Sequence, residues 1–180
     1  MGRCFIGIFI PDGLKEKLLT LQKLIKNLGV DCRFVEAKNM HLTLSFLGEV
    51  PEIEIPKVSQ KIDVIAQNFV KFSLMIFGIL LIPNRNFIRV IALDVVDETG
   101  YLKNLVDCVG AEIGGDVKPP HLTLCRVRKS ENKNDIISKL MNSDARIGDF
   151  QVDSISLIKS ELTRGGPDYT VLHESKFRYS

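Results

Sequence analysis

The chain has 180 residues, of which 45% are hydrophobic and 26% are charged. This composition excludes a disordered chain, and the length suits one compact domain or two small lobes that share a core. With 24 basic and 22 acidic side chains the formal net charge is only +2, which excludes a protein that coats nucleic acid through its overall charge. Any contact with nucleic acid must therefore come from a local patch.

The first half of the sequence predicts several strands and two helices. Asp12 can cap the first helix and Gly29 can end it, and the apolar residues between them recur every three or four positions. The residues of this helix that fall at helical spacing are Leu14, Leu18, Leu21, Leu24, Ile25 and Leu28. The predicted elements of this half are a strand at 4–10, the first helix, short strands at 33–35 and 41–47, the second of which Gly48 closes, a helix at 51–68, and strands at 70–82 and 86–96 joined by a hairpin.

The second half predicts two more helices and three more strands. The predicted elements are a helix at 100–113, a strand at 121–128, a helix at 132–141, and strands at 150–159 and 168–177 joined by a loop at 163–167. Strands and helices do not alternate regularly, which is typical of an α+β fold rather than a parallel α/β fold. We expect a single domain over residues 1–180.

The cysteines and the apolar segments indicate a cytoplasmic protein without a membrane segment. The chain has four cysteines, and no two of them form a CxxC pair, so reduced thiols are expected. The apolar run at 4–10 ends at Pro11-Asp12 without a cleavage site for a signal peptidase, which favours a buried strand over a signal peptide.

A tetrad, His-Leu-Thr-Leu, occurs at His41–Leu44 and again at His121–Leu124. The chance of such a repeat is roughly one in a thousand, so it indicates a duplicated half-domain. On a strand, the histidine and threonine of each tetrad share one face and the leucines share the other. Two such strands side by side would bring two imidazoles and two hydroxyls to one cleft, a set that suits acid–base chemistry on a phosphodiester or cyclic phosphate.

These motifs resemble the 2H phosphoesterases, and within them the RNA 2′,3′-cyclic phosphodiesterases, also called 2′-5′ RNA ligases. The segments that carry the resemblance are Arg3–Ile10, His41–Val50, Arg89–Val95, Pro120–Val127 and Ser160–Thr170. The resemblance implies an α+β fold with two pseudo-symmetric lobes, each an antiparallel sheet with helices outside, on either side of a central cleft. It also implies hydrolysis of RNA 2′,3′-cyclic phosphate ends to 2′-phosphomonoesters, without metal or other cofactor, and reversible 2′-5′ ligation without ATP.

The resemblance also implies a role for six residues. The implied roles are a catalytic pair in His41 and His121, phosphate binding by Thr43, Thr123 and Arg126, and base stacking by Phe46. Phe46 and Arg126 each follow their histidine by five residues, and simple alternation would place them on the leucine face. A β-bulge, a strong twist or a strand end is therefore required to bring them into the cleft.

Other interpretations remain at this stage. The two histidines could be metal ligands, although no further ligand sits at a repeated offset. Phe46 could be a core residue, and His173 is interpreted as an ordinary surface histidine and Cys125 as a packing residue. A basic cluster beside the second histidine is predicted to contact RNA, and it comprises Lys118, Arg126, Arg128, Lys129 and Lys133.

The substrate and partners also stay open. RNA ends, tRNA halves included, are the expected partners of a monomeric enzyme. The alternatives are small cyclic nucleotides such as ADP-ribose cyclic phosphate, and an RNA-end-binding module without turnover. The sequence does not assign which histidine is the acid and which is the base.

Overall fold

The computed structural model describes residues 2–129, 133–143, 145–164 and 166–179 and contains four α-helices and ten strands in this part of the chain. The elements are β1 (Gly2–Phe9), α1 (Asp12–Asn27), β2 (Asp31–Phe34), β3 (His41–Val50), α2 (Ile55–Gln67), β4 (Phe72–Asn84), β5 (Phe87–Val96), α3 (Tyr101–Glu112), β6 (Asp116–Val117), β7 (Leu122–Lys129), α4 (Lys133–Met141), β8 (Arg146–Val152), β9 (Ser154–Leu162) and β10 (Pro167–Lys176). Short 3-10 helices lie at Ala37–Asn39 and Glu52–Glu54. None of the described helices is long and apolar enough to cross a membrane.

All ten strands belong to one antiparallel sheet made of two similar halves. Its order is β10-β9-β1-β3-β7-β5-β4-β8, and the halves meet where Leu42 of β3 pairs with Leu122 of β7. The series β1-α1-β2-β3 is repeated as β5-α3-β6-β7. The two halves exchange their short strands, since β2 pairs with β7 and β6 pairs with β3. The predicted two-lobed α+β fold is therefore confirmed, with its two sheets continuous at the centre.

The sheet is curled, and one of the predicted strands is wrong. The segment at 150–159 is not one strand, because it contains the end of β8 and the start of β9, which lie near opposite ends of the sheet order. Only Asp153 separates these two strands, and its carbonyl accepts a hydrogen bond from the backbone N–H of Phe177 at 2.8 Å. The two ends of the sheet therefore approach each other.

The helices pack on the outside of this sheet, as the hydrophobic spacing predicts. On α1, Leu18, Leu21 and Ile25 are buried, whereas Leu24 is 38% exposed. The four inward residues of α3 are all buried, and they are Leu102, Leu105, Val106 and Val109. Helix α2 covers β9 and β10.

Two predicted boundaries are also wrong. Pro11 rather than Asp12 is the N-cap of α1, and it makes no side-chain cap bond. Asp12 instead lies in the first turn, where its carboxylate contacts the Lys15 ammonium at 2.7 Å. Its negative charge also interacts favourably with the positive end of the helix dipole. Gly48 does not end β3, which continues to Val50, because the chain accommodates this glycine in a register shift against β1.

Candidate active site

The two histidine strands lie side by side at the centre of the sheet. The tetrad leucines pair across β3 and β7, and the strands are antiparallel, so the register places His41 beside Thr123 and Thr43 beside His121. All four side chains share one face and are half-buried, whereas the alternating leucines are fully buried. The structure thus brings together the four residues predicted from the tetrads.

Each histidine strand contains a β-bulge immediately after its threonine. In β3 the register with β1 skips Leu44, and in β7 the register with β5 skips Leu124. Each skipped leucine and the residue after it are fully buried, so the alternation resumes out of phase. The side chains of Phe46 and Arg126 are consequently exposed on the histidine face, in the manner that the predicted cleft requires.

The backbone fixes the orientation of both imidazole rings. The Nδ1 atom of His41 lies 2.6 Å from the carbonyl oxygen of Asn39, and Nδ1 of His121 lies 3.1 Å from the carbonyl oxygen of Pro119. Because a carbonyl oxygen only accepts, each Nδ1 carries the proton in the neutral ring. The Nε2 atom is then the basic nitrogen, and that of His41 accepts a hydrogen bond from the Thr43 hydroxyl at 3.0 Å.

Aromatic rings enclose His41. Its ring centroid lies 4.7 Å from that of Phe5 and 5.2 Å from that of Tyr169, which meets it edge-on at 87°. Phe5 also contacts Tyr169 at 5.2 Å and faces Phe46 at 6.3 Å. Burial among these groups lowers the pKa of His41, the hydrogen bond to the Asn39 carbonyl opposes this shift, and the Arg126 guanidinium lowers the pKa further. His41 is therefore neutral in the free protein at pH 7.

Sequence reasoning missed Phe5 and Tyr169 as site residues. Both lie in segments that carry the family resemblance, but no spacing rule relates a residue near the N-terminus to one on the last strand. Their meeting depends on β1 lying between β3 and β9, with β10 beyond. Phe46 is 47% exposed, so its interpretation as a core residue is wrong.

Arg126 is close enough to both His41 and Tyr169 to lower the pKa of each side chain, although burial raises the pKa of Tyr169 overall. Its Cα pairs directly with that of Arg33 on β2, a residue that sequence reasoning did not select. Of the predicted basic cluster, Lys118 is paired with Asp116 at 2.7 Å. The side chains of Lys129 and Lys133 lie outside the described residues.

Two other residues have defined environments. Cys125 is fully buried and hydrogen-bonded to the Cys32 thiol, and burial raises its pKa well above the usual range, so it is a packing residue rather than a nucleophile. His173 is not an ordinary surface histidine, because its Nε2 lies 2.7 Å from the Asp63 carboxylate and 3.1 Å from the Ser175 hydroxyl. These contacts join α2 to β10. Among the described residues, no group of three or more His, Cys, Asp or Glu side chains could hold a metal ion.

Comparisons with known proteins agree with this geometry. Residues 8–92 match the family described as LigT-like phosphoesterase. An RNA 2′,3′-cyclic phosphodiesterase of Methanocaldococcus jannaschii is 33% identical over 96% of this chain and 99% of the relative, and one of Methanothermobacter thermautotrophicus is 30% identical over 93% and 95%. The crystal structure of TT0787 of Thermus thermophilus superposes with a TM-score of 0.84, at 25% identity over 98% of each chain.

Proposed function

This chain belongs to the LigT-like family of 2H phosphoesterases, and from that membership we propose that it hydrolyses the 2′,3′-cyclic phosphate at RNA 3′ ends to a 2′-phosphomonoester. The observation that carries the proposal is the pairing of the two tetrads, which puts two oriented imidazoles and two hydroxyls on one face of the sheet. The names of the relatives support the substrate class.

The two imidazoles supply the acid and the base of an in-line displacement. One neutral Nε2 removes a proton from water, whose oxygen forms a new bond to phosphorus. The bond from phosphorus to the 3′ oxygen breaks, and the second imidazole, which is protonated, gives its proton to that oxygen. The products are a 2′-phosphomonoester and a free 3′ hydroxyl. This scheme needs no metal ion, and it requires one charged and one neutral histidine at the same time, which predicts a bell-shaped pH profile.

The surrounding residues bind the substrate. The Thr43 and Thr123 hydroxyls can donate to the two non-bridging oxygens, and the Arg126 guanidinium pairs with the negative charge that the phosphate carries throughout. Phe46 presents an exposed ring next to Phe5, a surface on which a terminal base can stack. The same site can join two RNA ends, because a 5′ hydroxyl can replace water as the group that attacks phosphorus while the bond to the 3′ oxygen breaks; attack of that 3′ hydroxyl on the 2′-5′ linkage is the reverse reaction. Such 2′-5′ ligation needs no ATP, since the strained cyclic ester supplies the leaving group.

The direct experiment is turnover of an oligonucleotide with a 2′,3′-cyclic phosphate by protein treated with EDTA. We expect full activity after chelation and a loss of at least about a thousandfold in His41→Ala and His121→Ala, since each removes one partner of the acid–base pair. The matched control is His173→Gln, which alters the third histidine of the chain, outside the cleft. Loss of activity on chelation, or full activity in His121→Ala, would contradict the mechanism.

The same assay separates the alternative functions. Faster turnover of ADP-ribose cyclic phosphate than of the RNA end would identify a small-nucleotide phosphodiesterase. Tight binding of the RNA end without turnover would identify a binding module. We expect the active species to elute as a monomer in size-exclusion chromatography and to act on RNA ends such as tRNA halves in the cytoplasm.

A further inference from the structure

Two arginines face each other across neighbouring strands at the edge of the cleft. Arg33 of β2 and Arg126 of β7 are Cα partners in an antiparallel pair, so their side chains leave the same face of the sheet, with Cβ atoms about 5 Å apart. Both side chains are exposed. Like charges directly opposite each other disfavour the pairing of two strands. Two guanidinium groups at this spacing suit a ligand with more than one negative charge.

The loop before β10 fits closely around the Arg33 side chain. A Cβ atom on Gly166 would overlap the Arg33 guanidinium, and the φ angle of Gly166 is +136°, which other residues rarely adopt. Thr163 and Gly166, which flank this turn, hydrogen-bond each other through their backbones at 2.8 and 3.2 Å. The C-terminal end of this loop contacts the candidate site, since the Asn39 side-chain amide donates a hydrogen bond to the Pro167 carbonyl at 2.8 Å. The Arg33 guanidinium thus lies against Gly166, beside the cleft.

The same position in the other half carries different residues. There Phe46 of β3 pairs with Asp116 of β6, so an aromatic ring and a carboxylate replace the two arginines. This asymmetry favours a nucleotide oriented with its base toward Phe46 and its phosphates toward Arg126.

We propose that Arg33, next to Arg126, forms a second phosphate subsite that binds the 5′-phosphate of the terminal nucleotide, while Arg126 binds the cyclic phosphate. The inference rests on the proposed function and adds to it a preference: the substrate class is a cyclic phosphate end with a phosphate on its 5′ side, as in an RNA chain, rather than an isolated nucleoside cyclic phosphate. Arg33 is then a specificity-determining residue that touches the substrate but not the reacting atoms.

The test compares adenosine 2′,3′-cyclic phosphate with and without a 5′-phosphate on the same protein. We expect the wild-type protein to favour the 5′-phosphorylated substrate by about tenfold in kcat/KM, the usual scale of one charge-assisted contact near a surface. In Arg33→Gln the preference should fall to within about twofold. The matched control is Arg89→Gln, which removes the same charge from the neighbouring strand β5, where the Arg89 guanidinium lies 4.6 Å from the centroid of the Phe87 ring. It should keep the tenfold preference.

A binding measurement gives a second readout that does not depend on turnover. Adenosine 2′-phosphate and adenosine 2′,5′-bisphosphate differ only in the 5′-phosphate, and their Kd values should differ by about tenfold for wild type and by less than about twofold for Arg33→Gln. Equal efficiency of the wild-type protein on both cyclic substrates, or an unchanged preference in Arg33→Gln, overturns the subsite and leaves the proposed function standing. Turnover of neither cyclic substrate, nor of an RNA end, overturns the proposed function and the subsite with it.

Discussion

Replacing Tyr169 with leucine should raise the pKa of His41 and weaken catalysis. The ring of Tyr169 meets His41 edge-on at 5.2 Å and meets Phe5 at the same distance. Two such aromatic contacts contribute about 0.5–1.5 kcal/mol each, so we expect the free energy of unfolding to fall by about 1–3 kcal/mol. Burial is the largest cause of the lowered pKa of His41, and removal of the ring lets water reach the imidazole. The pKa should therefore rise toward its usual value near 6.5.

The rise can be measured in two ways. Titration of the His41 ring by NMR is tractable because the chain has three histidines, and the His121→Ala and His173→Gln proteins assign the other two. In the pH profile of kcat/KM, the limb that reports His41 should move to higher pH. The value of kcat/KM at pH 7 should fall about tenfold, because the His41 imidazole loses a contact that orients it. Movement of the acidic limb would identify His41 as the base, and movement of the alkaline limb would identify it as the acid.

Tyr169→Phe is the matched control, because it keeps the ring and removes only the hydroxyl. We expect its His41 pKa and its pH profile to match those of the wild type. A folded Tyr169→Leu protein with an unchanged or lower His41 pKa would refute the argument that the Tyr169 ring keeps water away from this imidazole.

Three further predictions concern the scaffold. Gly7→Ala should destabilise the protein by about 1–3 kcal/mol in urea unfolding, because the added Cβ would lie 2.8 Å from the Leu42 carbonyl oxygen beside the bulge; wild-type stability would contradict that tight approach. Asn39→Ala should cost about 1–3 kcal/mol and lower kcat, since it leaves the Pro167 carbonyl without its donor; a change in neither stability nor rate would show that this tie is dispensable. The carboxylate of Asp63 has a pKa below its usual range because Ser175 and His173 of β10 hydrogen-bond to it. The ionised carboxylate therefore stabilises the fold at pH values above its pKa in the unfolded chain, and this stabilisation is lost as the pH falls through its pKa in the folded protein. Urea unfolding between pH 3 and 7 should therefore show a flatter acid decline in Asp63→Asn than in wild type, and parallel curves would count against the pairing.

Local periodicity was enough to predict most of the elements. The helices follow from apolar residues at spacings of three and four, and the tetrads identify the two central strands. The division at Asp153 could not be predicted, since no glycine or proline marks it and the chain changes sides only because the sheet curls. The exchange of β2 and β6 is also invisible in the sequence, because each of these short strands pairs with residues that are about 70 to 100 positions away.

The residues of the candidate site likewise fall into those that local sequence patterns predict and those that depend on long-range strand pairing. The histidines and threonines were predicted because the repeat reveals them, and the bulges were anticipated because Phe46 and Arg126 would otherwise face the core. Phe5, Tyr169 and Arg33 were missed since their positions depend on the order and register of strands distant in sequence. A residue's chemistry can be read from the chain, but its neighbours across a sheet are set by long-range pairing.

The exchange of short strands between the halves has an evolutionary consequence. Each half completes its sheet with a strand from the other, so neither is a finished structure alone, and two copies of one ancestral half could pair only as an interlocked twofold dimer. In such a dimer every substitution appears twice, and an arginine gained on one side of the cleft is gained on the other. Joining the copies in one polypeptide removes that constraint. Each side can then diverge separately, and in this chain one side of the cleft is aromatic and the other cationic around an almost symmetric pair of histidines.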